Sequence, residues 1–211
     1  MAQAATVSDN PSATMVAVVQ HNARTDVEQN LSTLETLSTQ AASEGAQLVT
    51  WAEAFAYIGR HDGKKDILES LPEGGPILER CQRLAQTLNC DLLLGGFHEA
   101  MPGDTERCYN TSVYLNSRGE ITAMYRKIHL FDVSIPSGPQ LMESNQTGPG
   151  DQAICVETLL GTLGLTICYD VRFPALYQRL VEKGAMALTV PSAFTATTGA
   201  AHWHVLLRAR A

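Results

Sequence analysis

The chain alternates between two hydrophobic rhythms. Residues 15–20, MVAVVQ, form a short apolar run that predicts a buried strand. From Asp26 to Glu44 the apolar positions Val27, Leu31, Leu34, Leu37 and Ala41 recur at helical spacing, and Gly45 stops the helix. The run QLVTW reads as a strand with Glu53 just past its end. A second helix is expected over 76–89: Pro76 suits its first turn, and Ile77, Cys81, Leu84 and Leu88 share one face. DLLLGGF is then a third strand, so the first half reads β-α-β-α-β, the pattern of a sheet covered by helices.

The second half is more broken. NTSVYLN, the turn SRGE and ITAMY predict a hairpin, with Lys127 just beyond its second strand. Residues 132–151 are rich in Pro, Gly and Ser and read as one long loop. AICVETL and TLGLTIC predict another hairpin across Leu160-Gly161. A helix over 175–183 ends at Gly184, MALTVP is a strand, and AAHWHVLLRARA begins a final helix with neither Gly nor Pro to close it. That last pattern is expected of a chain cut within a helix. Residues 1–14 are expected to be a disordered tail, and 15–211 a single domain.

Composition narrows the function. A 45% hydrophobic, 18% charged chain of 211 residues can bury a sizeable core. A net charge of −7 with scattered basic residues argues against a nucleic-acid partner. No apolar run is long enough to span a membrane, and the first residues lack the features of a secretory signal. The five cysteines are odd in number and without CxxC spacing, which favours free thiols and a cytoplasmic setting.

Three polar residues share one kind of position. Glu53, Lys127 and Cys168 each fall at or just beyond the C-terminal end of an expected strand, the edge where α/β sheets gather catalytic groups. A carboxylate, an ammonium and a thiol meeting there could take a thiol proton, attack an acyl carbon and hold the oxyanion, with the Tyr169 N–H as a second donor. In LTICYDVRFP the chain would turn sharply after the strand and expose Cys168, as a nucleophile elbow does. Singly, each residue has a plainer reading: a buried structural cysteine, a solvated lysine, a loop carboxylate.

Together, AEAFAYIG, YRKIHLFDVSIP, MESNQTGPGD and CYDVRFPALY resemble, in order, the motifs of the nitrilase superfamily of carbon–nitrogen hydrolases. The resemblance implies an α/β fold of four layers, an αββα sandwich of the nitrilase type, incomplete here at its C-terminus. It implies Glu53 as general base, Lys127 as oxyanion lysine, Cys168 as nucleophile and Glu143 as a second glutamate beside them. Ala52 stands where the family usually has proline. The sequence is most similar to the branch whose members hydrolyse deaminated glutathione, with the ω-amidases close by. That implies cleavage of a linear primary amide through a thioester, release of ammonia, no metal or organic cofactor, and a homodimer. Nitrile or N-carbamoyl hydrolysis, or a fragment without catalysis, are the alternatives.

The remaining features are secondary. Arg172 is expected to bind a carboxylate or make a structural ion pair, and Tyr57 to line the pocket or pack in the core. Cys168 and Arg172 lack the C-x5-R spacing and glycine cradle of a phosphatase loop. His202 and His204, two apart on a helix, do not face one another as metal ligands would. His129 is expected to be structural, and Gly95-Gly96 is not followed by the helix start of a phosphate loop. The lysine beside Cys168 and the helix near Pro174 are expected to depress the thiol pKa and speed its alkylation.

Overall fold

The computed structural model describes residues 14–134 and 140–211. The expected tail, Thr14 apart, and residues 135–139 of the long loop lie outside them. The first half contains β1 (Val16–Val18), α1 (Val27–Ser43), β2 (Leu48–Thr50), α2 (His61–Lys65), α3 (Pro76–Leu88), β3 (Asp91–Ala100), β4 (Cys108–Leu115) and β5 (Ile121–Arg126). These strands form one sheet in the order β1-β2-β3-β4-β5. The first three run parallel because α1 and α3 carry the chain back between them; the tight turn at 117–120 makes β4 and β5 antiparallel.

Both crossover helices have clear local causes. Asp26 caps α1, its side chain accepting the Gln29 N–H at 3.0 Å, and Gly45 takes φ +97° just past the end. Pro76 opens α3, and the buried Glu69 carboxylate accepts the N–H groups of Ile77 and Leu78 at 2.6 and 3.0 Å. Glu69 stands seven residues before the helix, too far along the chain for a capping pattern to reveal it.

Strand alternation divides the core in two. Val49, Leu92, Leu94, Val113 and Leu115 point to one face and pack on Leu31, Leu34, Leu78 and Ala85 of the helices. Their neighbours Leu48, Leu93, Tyr114 and Tyr125 point to the other face, against a second sheet. That sheet has the order β10-β9-β8, from β8 (Cys155–Thr158), β9 (Gly161–Gly164) and β10 (Ala187–Leu188). Its far side is covered by α4 (Pro174–Glu182), through Leu176, Tyr177 and Leu180. Helices, sheet, sheet and helix give the four expected αββα layers.

Three elements differ from expectation. Helix α2 has no signal in the sequence pattern, because His61–Lys65 contains no apolar side chain to set a rhythm. The loop over 132–151 contains a small hairpin, β6 (Asp132–Ser134) with β7 (Gln140–Met142), and a helical turn at Glu143–Asn145. The last helix, α5 (Ala196–Arg208), starts ahead of residue 200 because Thr195 caps it. Beyond β9, Leu165–Ile167 runs on outside the ladder, and the Cys168 N–H donates to Pro191 O at 2.9 Å.

Candidate active site

Glu53 is placed by a close approach of two backbones. After β2 the chain turns through Ala52 and Glu53 to Ala54, which takes φ +54°. This turn lies on a bulge in β3, where the register shifts between Leu94 and Phe97. A Cβ at Gly95 would lie 2.1 Å from Trp51 O, and one at Gly96 would lie 2.7 Å from the Ala54 nitrogen. The glycine pair therefore lets the turn seat against the sheet, a role its sequence pattern did not suggest.

The buried Glu53 carboxylate collects donors from three parts of the chain. Oε1 accepts from Asn110 Nδ2 at 2.9 Å and Lys127 Nζ at 3.0 Å; Oε2 accepts the Ala193 N–H at 2.8 Å. Lys127, directly after β5, also donates to both oxygens of Glu143, at 3.1 and 2.9 Å. Glu143 is fixed in turn by the Phe131 N–H at 2.6 Å. Cys168 lines the same cavity as Glu53 and Lys127, near enough for the three groups to shift one another's ionisation. The expected Glu–Lys–Cys convergence is present, with Glu143 beside it.

Cys168 begins a helical turn, Cys168–Arg172, that leads into Pro174 at the start of α4. It takes φ +48°, a left-handed conformation that costs a β-carbon residue about 1 kcal/mol or more. Among the described residues only Ala54, Asn89 and Cys168 do so without being glycine. Asn89 ends α3, and the other two flank or form the site. The elbow is held by Asp170, which is fully buried: its oxygens accept from the Ile167 N–H, Tyr125 Oη, the His129 N–H and His129 Nδ1 at 2.9, 2.7, 3.0 and 2.7 Å. One carboxylate thus joins the segment around Lys127 to the turn around Cys168. His129 is structural, as expected, and stacks on Phe173 at 3.7 Å.

The protonation pattern corrects one expectation. Burial alone would raise the Glu53 pKa, but the Lys127 charge and the hydrogen bonds from Cys168, Lys127 and Ala193 outweigh it and hold the carboxylate below its usual range. Burial opposes the Lys127 charge too, yet Glu53, Glu143 and Cys168 keep its ammonium well above the usual lysine range. At Cys168 burial and then the Glu53 charge win, pushing the thiol well above its ordinary value despite Lys127. The thiol is therefore raised, not depressed, and fast alkylation at neutral pH does not follow. Even with ordinary values a thiol and a carboxylate differ by about four units, about 6 kcal/mol, and both shifts widen that gap. Both shifts favour the proton on the Cys168 sulfur and the charge on Glu53.

The three groups line a cavity of about 460 Å³ shared with Tyr57, His98, Asn110, Phe131, Tyr169 and Arg172. Tyr57 is buried and lines this wall, its hydroxyl donating to Arg60 O at 3.0 Å. Tyr169 packs edge-on to Phe131 and Phe173. Arg172 lies over the Tyr169 and Phe194 rings and 3.2 Å from His202 Nδ1. Among the described residues it has no carboxylate partner, so the alternative of a structural ion pair is not seen.

Residues 15–211 match the family model described as carbon-nitrogen hydrolase. The chain belongs to the carbon–nitrogen hydrolase family. A human relative named deaminated glutathione amidase is 46% identical over 200 residues, which are 93% of this chain and 61% of that protein. The chain therefore spans less than two thirds of that relative's length. The crystal structure of the Caenorhabditis elegans NitFhit protein superposes with a TM-score of 0.86 at 38% identity, over 92% of this chain and 47% of that one. Saccharomyces cerevisiae Nit3, a member of branch 10 of the nitrilase superfamily, gives 0.81 at 32% identity, over 92% and 70%.

The candidate site also holds residues that the sequence did not single out. Asn110 and the Ala193 N–H fix Glu53, and Asp170 fixes the elbow. His98 forms part of the floor; burial lowers its pKa to about 4, and its Nε2 donates to Tyr57 O at 3.0 Å. The available signal was alternation: Asn110 faces His98 across the ladder, so either residue at the site would bring the other with it.

Proposed function

We propose that this chain is the catalytic part of a cysteine-dependent amidohydrolase that hydrolyses a linear amide through a thioester. One observation carries the reading: Glu53 accepts a hydrogen bond from Lys127 and Cys168 lines the same cavity beside both, although the three residues lie on separate elements. The substrate carbonyl oxygen points at Lys127 Nζ and the Tyr169 N–H. Sulfur attacks the carbonyl carbon while Glu53 takes the thiol proton and passes it to the departing nitrogen. The amine leaves, giving the Cys168 thioester. Glu53 then deprotonates a water that attacks the thioester, and the acid departs with the thiol restored. Glu143 holds Lys127 charged throughout.

The relatives' name supports deaminated glutathione, or a related α-keto acid amide, as the substrate. Arg172 lines the cavity with no acid partner among the described residues, which supports it as the group that receives a substrate carboxylate. Tyr57 shapes the wall. The exposed Val181 of α4 and Val205 of α5 support pairing of two copies through these helices. The five free thiols support a cytoplasmic setting, and no helix among the described residues is long and apolar enough to cross a membrane.

Intact-mass analysis during turnover of deaminated glutathione is expected to show an acyl adduct confined to Cys168, with an equimolar amine released. Turnover without any adduct rules out the covalent route, and turnover of nitriles or N-carbamoyl compounds but not amides moves the substrate class. The pH profile follows from the shifts. The base works as a carboxylate whose pKa is lowered, so kcat/KM should hold level from neutral pH down to about pH 5 and fall only at or below the ordinary carboxylate range, about pH 4. A midpoint near 6 to 7 would show that Glu53 is not the base.

A further inference from the structure

The cavity contains a third cation, beyond Lys127 of the triad and Arg172. Lys64 lies on α2, a single polar turn that has no packing face of its own. Its position is nonetheless built. The Tyr57 hydroxyl donates to Arg60 O, and the Tyr57 ring fits against Gly59 and Gly63, where a Cβ would lie 2.4 and 2.2 Å from its oxygen. On the other side Lys65 Nζ donates to Glu106 Oε2 at 2.8 Å, and His61 Nε2 donates to Glu106 O at 2.7 Å. These contacts hold Lys64 at the cavity wall beside Tyr57, His98 and Cys108. The side chain is part-buried and lines the cavity with His98 and Cys108, near enough for its charge to act on both.

No carboxylate lies within 4.0 Å of the Lys64 ammonium among the described residues. The cavity's own acids, Glu53 and Glu143, are both committed to Lys127. Lys64 and Arg172 enter from different sides: Lys64 from the segment over β3 and β4, Arg172 from the elbow. A protein of net charge −7 thus keeps two uncompensated cations around one reaction centre. Two cations apart from one another suit two anionic groups apart from one another.

We propose that Lys64 is a specificity residue that binds a second carboxylate of the substrate, separate from the carboxylate held at Arg172. The inference rests on the amidohydrolase reading and adds to it the residue that meets the second carboxylate. The probes are deaminated glutathione and the same molecule with its terminal carboxylate converted to a neutral amide. Affinity for each is measured by calorimetry on the Cys168→Ala protein, so that binding is read whether or not hydrolysis occurs.

With Lys64 present the dianion is expected to bind about 30-fold more tightly than the monoanion, about 2 kcal/mol at 1.4 kcal/mol per decade. In Lys64→Met, and again in Lys64→Gln, the ratio should fall to about 1, with the melting temperature held. Lys183→Met, an equal change of net charge at an exposed position, should leave the ratio at 30. An unchanged ratio in both Lys64 variants, or an equal loss in Lys183→Met, overturns the proposal. Hydrolysis by the unmodified protein is scored separately. Its absence counts against the amidohydrolase reading, while the binding ratio still decides the role of Lys64.

Discussion

Replacing Cys168 with alanine is expected to remove amide hydrolysis, by at least about 10⁴-fold in kcat, while the protein stays folded. The argument turns on what the sulfur touches. It is buried against Glu53 and Lys127, and its own pKa is raised. Alanine removes the attacking atom but leaves Glu53 with three donors, Asn110, Lys127 and the Ala193 N–H. No buried charge is stranded, so the melting temperature should fall by about 3 °C or less. Cys155→Ala is the control. Its thiol is half-buried at the edge of β8 with only a long contact, 3.7 Å, to Leu180 O. Near-normal turnover is expected there. Similar losses in the two variants would show that packing, not the reaction, had been disturbed.

Lys127→Met should cost both activity and stability, for the same electrostatic reason. The ammonium lies within 3.1 Å of two carboxylates, and its side chain is 2% exposed, with Glu53 at 8% and Glu143 at 20%. Without it the buried Glu53 and the part-buried Glu143 face one another as anions. Breaking such a network by removing one partner costs about 3–5 kcal/mol, about 10 °C in melting temperature for a chain of this size. With Lys127 as the oxyanion donor of the proposed mechanism, its loss alone should lower kcat by about 10²–10³-fold.

The stability deficit has a definite pH dependence. In the native protein Glu53 has a lowered pKa, so its contribution is present above the unfolded value and fades as pH falls through the folded one. In the variant, burial and Glu143 raise the Glu53 pKa above the unfolded value, and the resulting penalty grows as pH rises. The gap between the two melting temperatures should therefore be wider at pH 7.5 than at pH 5. A constant gap would mean that Lys127 stabilises the protein by packing of its alkyl chain alone.

The elements with a strong apolar rhythm were legible. Val27 to Ala41 and Ile77 to Leu88 predicted α1 and α3 because one helix face meets the sheet and the other meets water. The elements without such a face were not. Helix α2 is polar throughout and exists because Tyr57, two glycines and Glu106 hold it in place. The β6–β7 hairpin joins exposed residues inside a Pro- and Gly-rich segment, which reads as loop. The expectation for the Cys168 pKa failed for a related reason. A neighbouring lysine is visible in a motif, but the degree of burial and the carboxylate that outweighs it are not.

The order of chemical groups along the chain was therefore a property of the sequence alone: Glu53 after one strand, Lys127 after another, Cys168 before a turn, and four motifs resembling one family. Local rules act over a few residues, and these features are local. The packing of Gly95 and Gly96 under the Glu53 turn, the bridging of two segments by Asp170, the upward shift of the Cys168 thiol and the place of Lys64 on the cavity wall were decided only by the tertiary structure. Each depends on contacts between residues distant in sequence and on how completely water is excluded there, and neither quantity exists until the two sheets have closed on one another.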